Sequence, residues 1–225
     1  GLRNQYIMVT TGANQAYMNC VITLLSEHDK SVVFRPYYFN HVMALQMTIG
    51  DNRILVGDSN NGIPDIEWLE QQLKNDDSIR MVTVVNPNNP CGTYISRTEC
   101  ARIVALTKQY DCWLILDCTY EDFVYDTSFD ACFDEPHVLH IFSFSKAYAL
   151  AGYRCGYVTL PNEELYNQML KVQDTIPIAP SRISQIAALG ALEAGTDWVR
   201  TKFATLAVGR SAILKALRPL QEIIG

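Results

Sequence analysis

Five short stretches of this chain carry side chains able to do chemistry. Ser143-Phe144-Ser145-Lys146 is followed eight residues after the lysine by Arg154. An amine in that setting is either a solvated strand end or a nucleophile toward a carbonyl. Asp117, with Tyr120 three residues on, offers a carboxylate that either caps the next turn or serves a ligand. Asn86-Pro87-Asn88-Asn89-Pro90-Cys91-Gly92 packs two prolines, three asparagines and a glycine into one turn. That density fits a merely tight loop, or a rigid one that holds the Asn89 amide at a fixed point. Thr11-Gly12-Ala13-Asn14 reads as a turn into a helix, where free N–H groups suit a phosphate and Asn14 could equally be a plain N-cap. Tyr38, in Pro36-Tyr37-Tyr38-Phe39, offers a ring for core packing or for stacking on a flat ligand.

The elements around these stretches are strands alternating with helices. Apolar, β-branched runs at 6–10, 31–34, 53–57, 81–85, 112–116, 138–142 and 156–160 read as strands. Helical spacing covers 15–25, 66–73, 97–110, 163–172, 181–192 and 197–217. The order predicts an α/β fold, a mostly parallel sheet flanked by helices, with no internal repeat or low-complexity linker. In such sheets ligands bind beyond the carboxyl ends of the strands, and that is where Lys146, Asp117 and Asn89 fall.

Composition narrows the function. The 225 residues are 48% hydrophobic and 19% charged, with a formal net charge of −6. Lys and Arg are scattered without a basic run, which argues against nucleic acid or an anionic membrane surface as a partner. Seven cysteines form no Cys-x-x-Cys pair and read as reduced, buried thiols, so a cytoplasmic protein is expected. No run approaches the length of a transmembrane helix. The chain opens at Gly1 without an initiator methionine and stops at Gly225 without an evident terminus, so a fragment is expected.

Taken together, the strand ends supply an anion nest at Gly12, Ala13 and Asn14, a ring at Tyr38, an amide at Asn89, an acid at Asp117, a phenol at Tyr120, hydroxyls at Ser143 and Ser145, an amine at Lys146 and a guanidinium at Arg154. Pyridoxal 5'-phosphate needs this inventory: an amine for its aldehyde, a carboxylate for its ring nitrogen, polar groups for its ring oxygen, and N–H groups, hydroxyls and a guanidinium for its phosphate. With these motifs in this order, the sequence resembles the large domain of a fold-type I pyridoxal-phosphate aminotransferase of class I/II over nearly its whole length.

That resemblance implies that Lys146 forms the internal aldimine and moves a proton during turnover. It implies that Asp117 pairs with the ring nitrogen, Asn89 and Tyr120 with the ring oxygen, and that Tyr38 stacks on the ring. Gly12, Ala13, Asn14, Ser143, Ser145 and Arg154 would hold the phosphate. Lys146, Asp117 and Tyr120 are the expected catalytic residues, and no metal is expected. Within the family, Pro36-Tyr37-Tyr38-Phe39-Asn40, Val84-Val85-Asn86-Pro87 and the stretch 171–178 look similar to plant-type aromatic-amino-acid aminotransferases. An aromatic or methionine-like amino donor, a 2-oxo acid acceptor and a homodimer follow as expectations. A lyase of the same fold, or a truncated module that binds the cofactor without turnover, are the alternatives.

Cys118 stands where many relatives carry a carboxylate, Cys91 where threonine is commoner, and Ala149 where glycine is usual. The resemblance places a large domain at 1–196 and a helix toward a small domain at 197–225. It also places the substrate-carboxylate arginine beyond Gly225 and a site-closing segment before Gly1.

Overall fold

In the computed structural model, which describes residues 2, 5–124 and 128–224, a seven-stranded sheet carries helices on both faces. The elements run β1 (Tyr6–Thr10), α1 (Ala13–Leu24), β2 (Lys30–Phe34), α2 (Phe39–Thr48), β3 (Ile54–Gly57), a small hairpin of β4 (Ser59–Asn60) and β5 (Ile63–Pro64), α3 (Ile66–Asn75) and β6 (Ile79–Val85). They continue with α4 (Arg97–Gln109), β7 (Trp113–Asp117), β8 (Val138–Ser143), β9 (Gly156–Leu160), α5 (Glu163–Thr175) and α6 (Arg182–Ile224). The strand order is β1-β9-β8-β7-β6-β2-β3. The pairs from β8 through β3 are parallel, whereas β9 runs antiparallel to both β8 and β1. The expected mostly parallel α/β sheet is what the chain forms.

Period-two alternation divides the core. On β7, Leu114 and Leu116 point toward α3 and α4, and Ile115 points toward α1 and α2. On β6, Val82 and Val84 take the first face and Met81 the second. All six side chains are buried, each stabilising the fold by about 1.5–3 kcal/mol. This alternation also aims the site. Asp117 follows Ile115 by two residues, so its carboxylate shares the face of α1 and α2.

Caps fix the helices on the other face. Ser96 and Glu99 form a reciprocal capping box at the start of α4, and the Asp65 carboxylate accepts from the Trp68 N–H at the start of α3. On the face of α1 and α2, helix α5 is capped by Asn162, whose side chain accepts from the Leu165 N–H.

Several details differ from the sequence reading. Helix α1 starts two residues earlier than expected, with Gly12 rather than Asn14 as its N-cap, and no side chain caps it. Helix α2 was not expected; its apolar sequence lacks a clear stripe, and buried His41, Ala44 and Leu45 alternate with exposed Phe39, Met43 and Met47. The two helices expected at 181–192 and 197–217 run as one element broken at Gly195, whose φ of 75° and ψ of 175° are non-helical. The cysteines are all free, but Cys91 is exposed, since it sits in the loop after β6 rather than on a strand. Among the described residues no helix is long and apolar enough to cross a membrane. Gly1 and Gly225 lie outside the described residues.

Candidate active site

A cavity of about 160 Å³ opens over the carboxyl ends of β6, β7 and β8. Its walls come from the stretches singled out by chemistry: Ala13 and Asn14 from α1, Tyr38 before α2, Asn89 from the proline-rich loop, Asp117 and Tyr120 from β7 and its following turn, and Ser143, Ser145, Lys146 and Arg154 from β8 and beyond. Of the residues expected at the site, only Gly12 does not line the cavity, and it is the N-cap directly behind Ala13. Val85, Thr119 and Ala151 complete the lining and were not anticipated, since a valine, threonine or alanine carries no distinctive spacing.

The floor is buried and internally paired. His41 Nε2 donates to Asp117 Oδ2 at 3.1 Å, and the two side chains are only 3% and 5% exposed. The Thr119 N–H donates to the other carboxylate oxygen at 3.0 Å. Burial alone would push the Asp117 carboxyl up; the His41 hydrogen bond and charge, together with Thr119, outweigh it and hold the group below the usual carboxylate range. His41 is itself clamped. Tyr17 stacks on it with ring centroids 3.9 Å apart, and Tyr38 meets it edge-on at 5.2 Å. The Tyr17 hydroxyl pairs with Thr83 Oγ1 at 3.0 Å, which ties the stack to β6. Sequence reasoning missed His41. Its only signal was a lone histidine three residues after Tyr38, one helical turn away, and that needs the unanticipated α2 to become meaningful.

The rim is open. Lys146, Arg154 and Asn14 are exposed, and Lys146 Nζ lies 6.0 Å from the centre of the Tyr120 ring. Asn89 Nδ2 reaches toward the Tyr120 hydroxyl at 3.5 Å, and the Tyr38 hydroxyl donates to Asn14 Oδ1 at 3.3 Å. Burial, and then the Asp117 charge, push the Tyr120 phenol up, so it stays a proton donor at neutral pH.

Helix α1 begins beside Arg154 without a side-chain cap. Gly12 has φ of 82°, and the first turn of α1 holds no acidic residue, leaving its N–H groups and positive dipole end free. Arg154 lies against Gly12 so closely that a Cβ there would overlap the guanidinium. Its own backbone is left-handed, with φ of 54°, and its Nη1 donates to Ala151 O at 2.9 Å. Gly156 allows the same approach from below, since a Cβ on it would sit 2.7 Å from Phe142 O and 2.9 Å from Ala13 N. The Ser143 hydroxyl accepts from the Ser145 N–H at 3.1 Å, fixing the turn that carries both serines and Lys146.

The chain thus combines a mostly parallel sheet, a cavity at its strand ends, an uncapped helix start and a lysine at the cavity rim. The model of the aminotransferase class I and II family matches residues 2–220, and the chain belongs to that family. It is 43% identical over 224 residues to the aromatic aminotransferase ISS1 of Arabidopsis thaliana, covering 97% of this chain and 57% of that protein. Among solved structures, the aspartate aminotransferase of Thermotoga maritima superposes with a TM-score of 0.84 at 25% identity, over 95% of this chain and 56% of that one. The pyridoxal-phosphate-bound C-S lyase of Staphylococcus hominis shares the fold at a TM-score of 0.84 and 21% identity, over 96% of this chain and 56% of that one. The chain thus spans a little over half the length of these relatives.

Proposed function

We propose that the protein containing this chain is a pyridoxal-phosphate-dependent transaminase, moving an amino group from an aromatic or methionine-like amino acid to a 2-oxo acid. The observation that carries the reading is the convergence of Asp117, Asn89, Tyr120, Ser143, Lys146 and Arg154 on one cavity. Similarity to the Arabidopsis aromatic aminotransferase supports the substrate class.

The residues present fit the cofactor. Gly12, lacking a side chain, lets the Arg154 guanidinium come close to the uncapped start of α1, and a phosphate there would be held by N–H groups of Ala13 and Asn14, the Ser143 and Ser145 hydroxyls and the guanidinium. Asp117, kept ionised by His41, would favour a proton on the ring nitrogen. Asn89 and Tyr120 point their polar ends at each other and would together hold the ring oxygen, and Tyr38, which lines the same cavity, would cover a ring face. When bound, pyridoxal 5'-phosphate supplies an aldehyde for the amine and a protonated ring that withdraws electrons. Lys146 Nζ is the anchoring amine and the base that takes the proton from the amino-acid Cα.

A boundary between a large domain at 1–196 and a connecting helix at 197–225 is supported by the break at Gly195. A homodimer is supported by an open apolar groove of about 520 Å³ between β1 and α6, where Ile7, Val9, Ile186, Leu189 and Leu192 are exposed.

Borohydride reduction of the holoenzyme followed by peptide mapping tests the site; label anywhere but Lys146 overturns it. Replacing Lys146 with alanine lowers turnover by about 10²–10⁴-fold or more. Product analysis with an amino donor and a 2-oxo acid tests the reaction class, and release of ammonia without amino exchange would instead identify a lyase.

A further inference from the structure

A second, smaller cavity reaches the floor of the site from behind. Its volume is about 20 Å³, and its walls include His41 on α2, Thr83 on β6, Ser59 and Gly62 from the β4–β5 hairpin, and Tyr37 and Asn88 from the loops after β2 and β6. Only Val85 belongs to both this wall and that of the larger cavity. Asp117 lines the front cavity and His41 the rear one, so the buried pair stands between them.

The polar atoms around the rear cavity divide into satisfied and unsatisfied. His41 Nε2 is committed to Asp117 at 3.1 Å, and the imidazole is 3% exposed. Its Nδ1 makes no hydrogen bond among the described residues, so it is the polar atom the ring has left to offer. A buried ring nitrogen without a partner is costly, and native structures nearly always supply one. Thr83 Oγ1 is held by the Tyr17 hydroxyl. The Asn88 side chain is occupied at both ends, its oxygen accepting from the Cys91 N–H at 3.1 Å and its Nδ2 donating to Pro36 O at 3.5 Å. The Ser59 hydroxyl, like Nδ1, makes no hydrogen bond among the described residues.

We propose that the rear cavity binds a single structural water that joins His41 Nδ1 to the Ser59 hydroxyl. A buried water needs about 10–15 Å³ of such space and two or more polar partners, and this cavity offers room for one water and for no larger ligand. Water donates and accepts, so it serves Nδ1 with or without a proton on that nitrogen. The relay of Asp117, His41, water and Ser59 runs from the front cavity to the hairpin, where Ser59 is partly buried and Tyr37 is 38% exposed. Solvent therefore reaches the imidazole from the rear, whether the front cavity is open or filled. Ser59 acts on the Asp117–His41 pair through the water, as a positioning residue. The inference goes beyond the proposed transamination and does not need it.

The test reads the water itself. The full-length protein, free of cofactor, is crystallised, and its histidine rings are followed by nitrogen NMR, with the His41 signal assigned from a His41→Gln variant. One water peak is expected within about 2.7–3.2 Å of both His41 Nδ1 and Ser59 Oγ. Magnetisation transfer from water to the His41 ring is expected as well, and it should persist when inorganic phosphate saturates the front cavity. Ser59→Val, which removes the hydroxyl and takes up part of the space, should lose both the peak and the transfer while the His41–Asp117 bond remains. A dry cavity, a protein group bonded to Nδ1, or a transfer abolished by phosphate overturns the proposal. So does a water that survives in Ser59→Val, since Ser59 would then not hold it. Where the variant does not fold or phosphate does not bind, the wild-type peak alone decides.

Discussion

The floor and the rim of the candidate site are built on opposite principles. The floor is satisfied within the chain: Asp117 is paired with His41, His41 is sandwiched by tyrosines, and the stack is tied to β6 through Thr83. At the rim, Lys146 and Arg154 are exposed, and the first N–H groups of α1 go uncapped. A group that must hold one charge state is buried and partnered before any ligand arrives. Groups that must take hold of a ligand are left free to do so. The difference separates fold stability from ligand affinity, and substitutions can test that separation.

The largest effect on the fold belongs to the floor. Asp117→Ala leaves His41 buried without its partner, and breaking a buried pair of this kind costs about 3–5 kcal/mol. Urea unfolding of the cofactor-free protein measures it. A loss no larger than that of a surface variant would erase the distinction between floor and rim.

Acid should also act on the interior first. His140 is buried, its Nε2 accepts from the Phe133 N–H at 3.1 Å, and burial lowers its pKa to about 4. The folded chain therefore keeps it neutral where the unfolded chain takes up a proton. Stability is lost as pH falls from about 6.5 to about 4, by an amount on the order of a few kcal/mol. His140→Gln, which keeps an acceptor, should flatten that part of the pH–stability curve. An unchanged curve would remove His140 as its cause.

The rim should behave in the reverse way. Arg154→Gln should leave cofactor-free stability within about 0.5 kcal/mol, as exposed side chains usually do. It should weaken phosphate or cofactor binding by about 10- to 150-fold, the loss of one charge-assisted hydrogen bond worth about 1.5–3 kcal/mol. A titration followed by cofactor absorbance reads the shift; a destabilised fold with unaltered binding would place Arg154 with the floor instead.

The smallest change expected is a gain. Ala149 has φ of 55°, a left-handed conformation costing an L-residue about 1–2 kcal/mol. Glycine removes that strain but adds chain entropy to the unfolded state, so Ala149→Gly should raise stability by up to about 1 kcal/mol. A lower melting temperature would mean that the alanine methyl packs better than its backbone suggests.

The same contrast explains what the sequence revealed. Rim residues lie in short, unusual motifs, the serine-lysine run and the proline-asparagine loop, so residue type and spacing announce them. The alternating strands also made the parallel sheet legible, because burial on both faces writes continuous apolar runs. His41 escaped because its meaning depends on a contact across three elements. Helix α2 escaped because exposed Phe39, Met43 and Met47 blur its periodicity, and the start of α1 was misplaced because Gly12 caps through backbone freedom rather than a side chain.

The antiparallel pairing of β1 with β9 has a consequence in time. Tyr6 meets Leu160 and Thr10 meets Gly156, partners roughly 150 residues apart, so at about 5–20 residues per second β1 waits about 7–30 s during synthesis for its neighbour. Gly12 follows β1 by two residues, and Arg154 precedes β9 by two residues. The wall of the cavity where Gly12 meets Arg154 is therefore among the last parts of the sheet to be assembled, closed only when the first strand of the nascent chain finds its last.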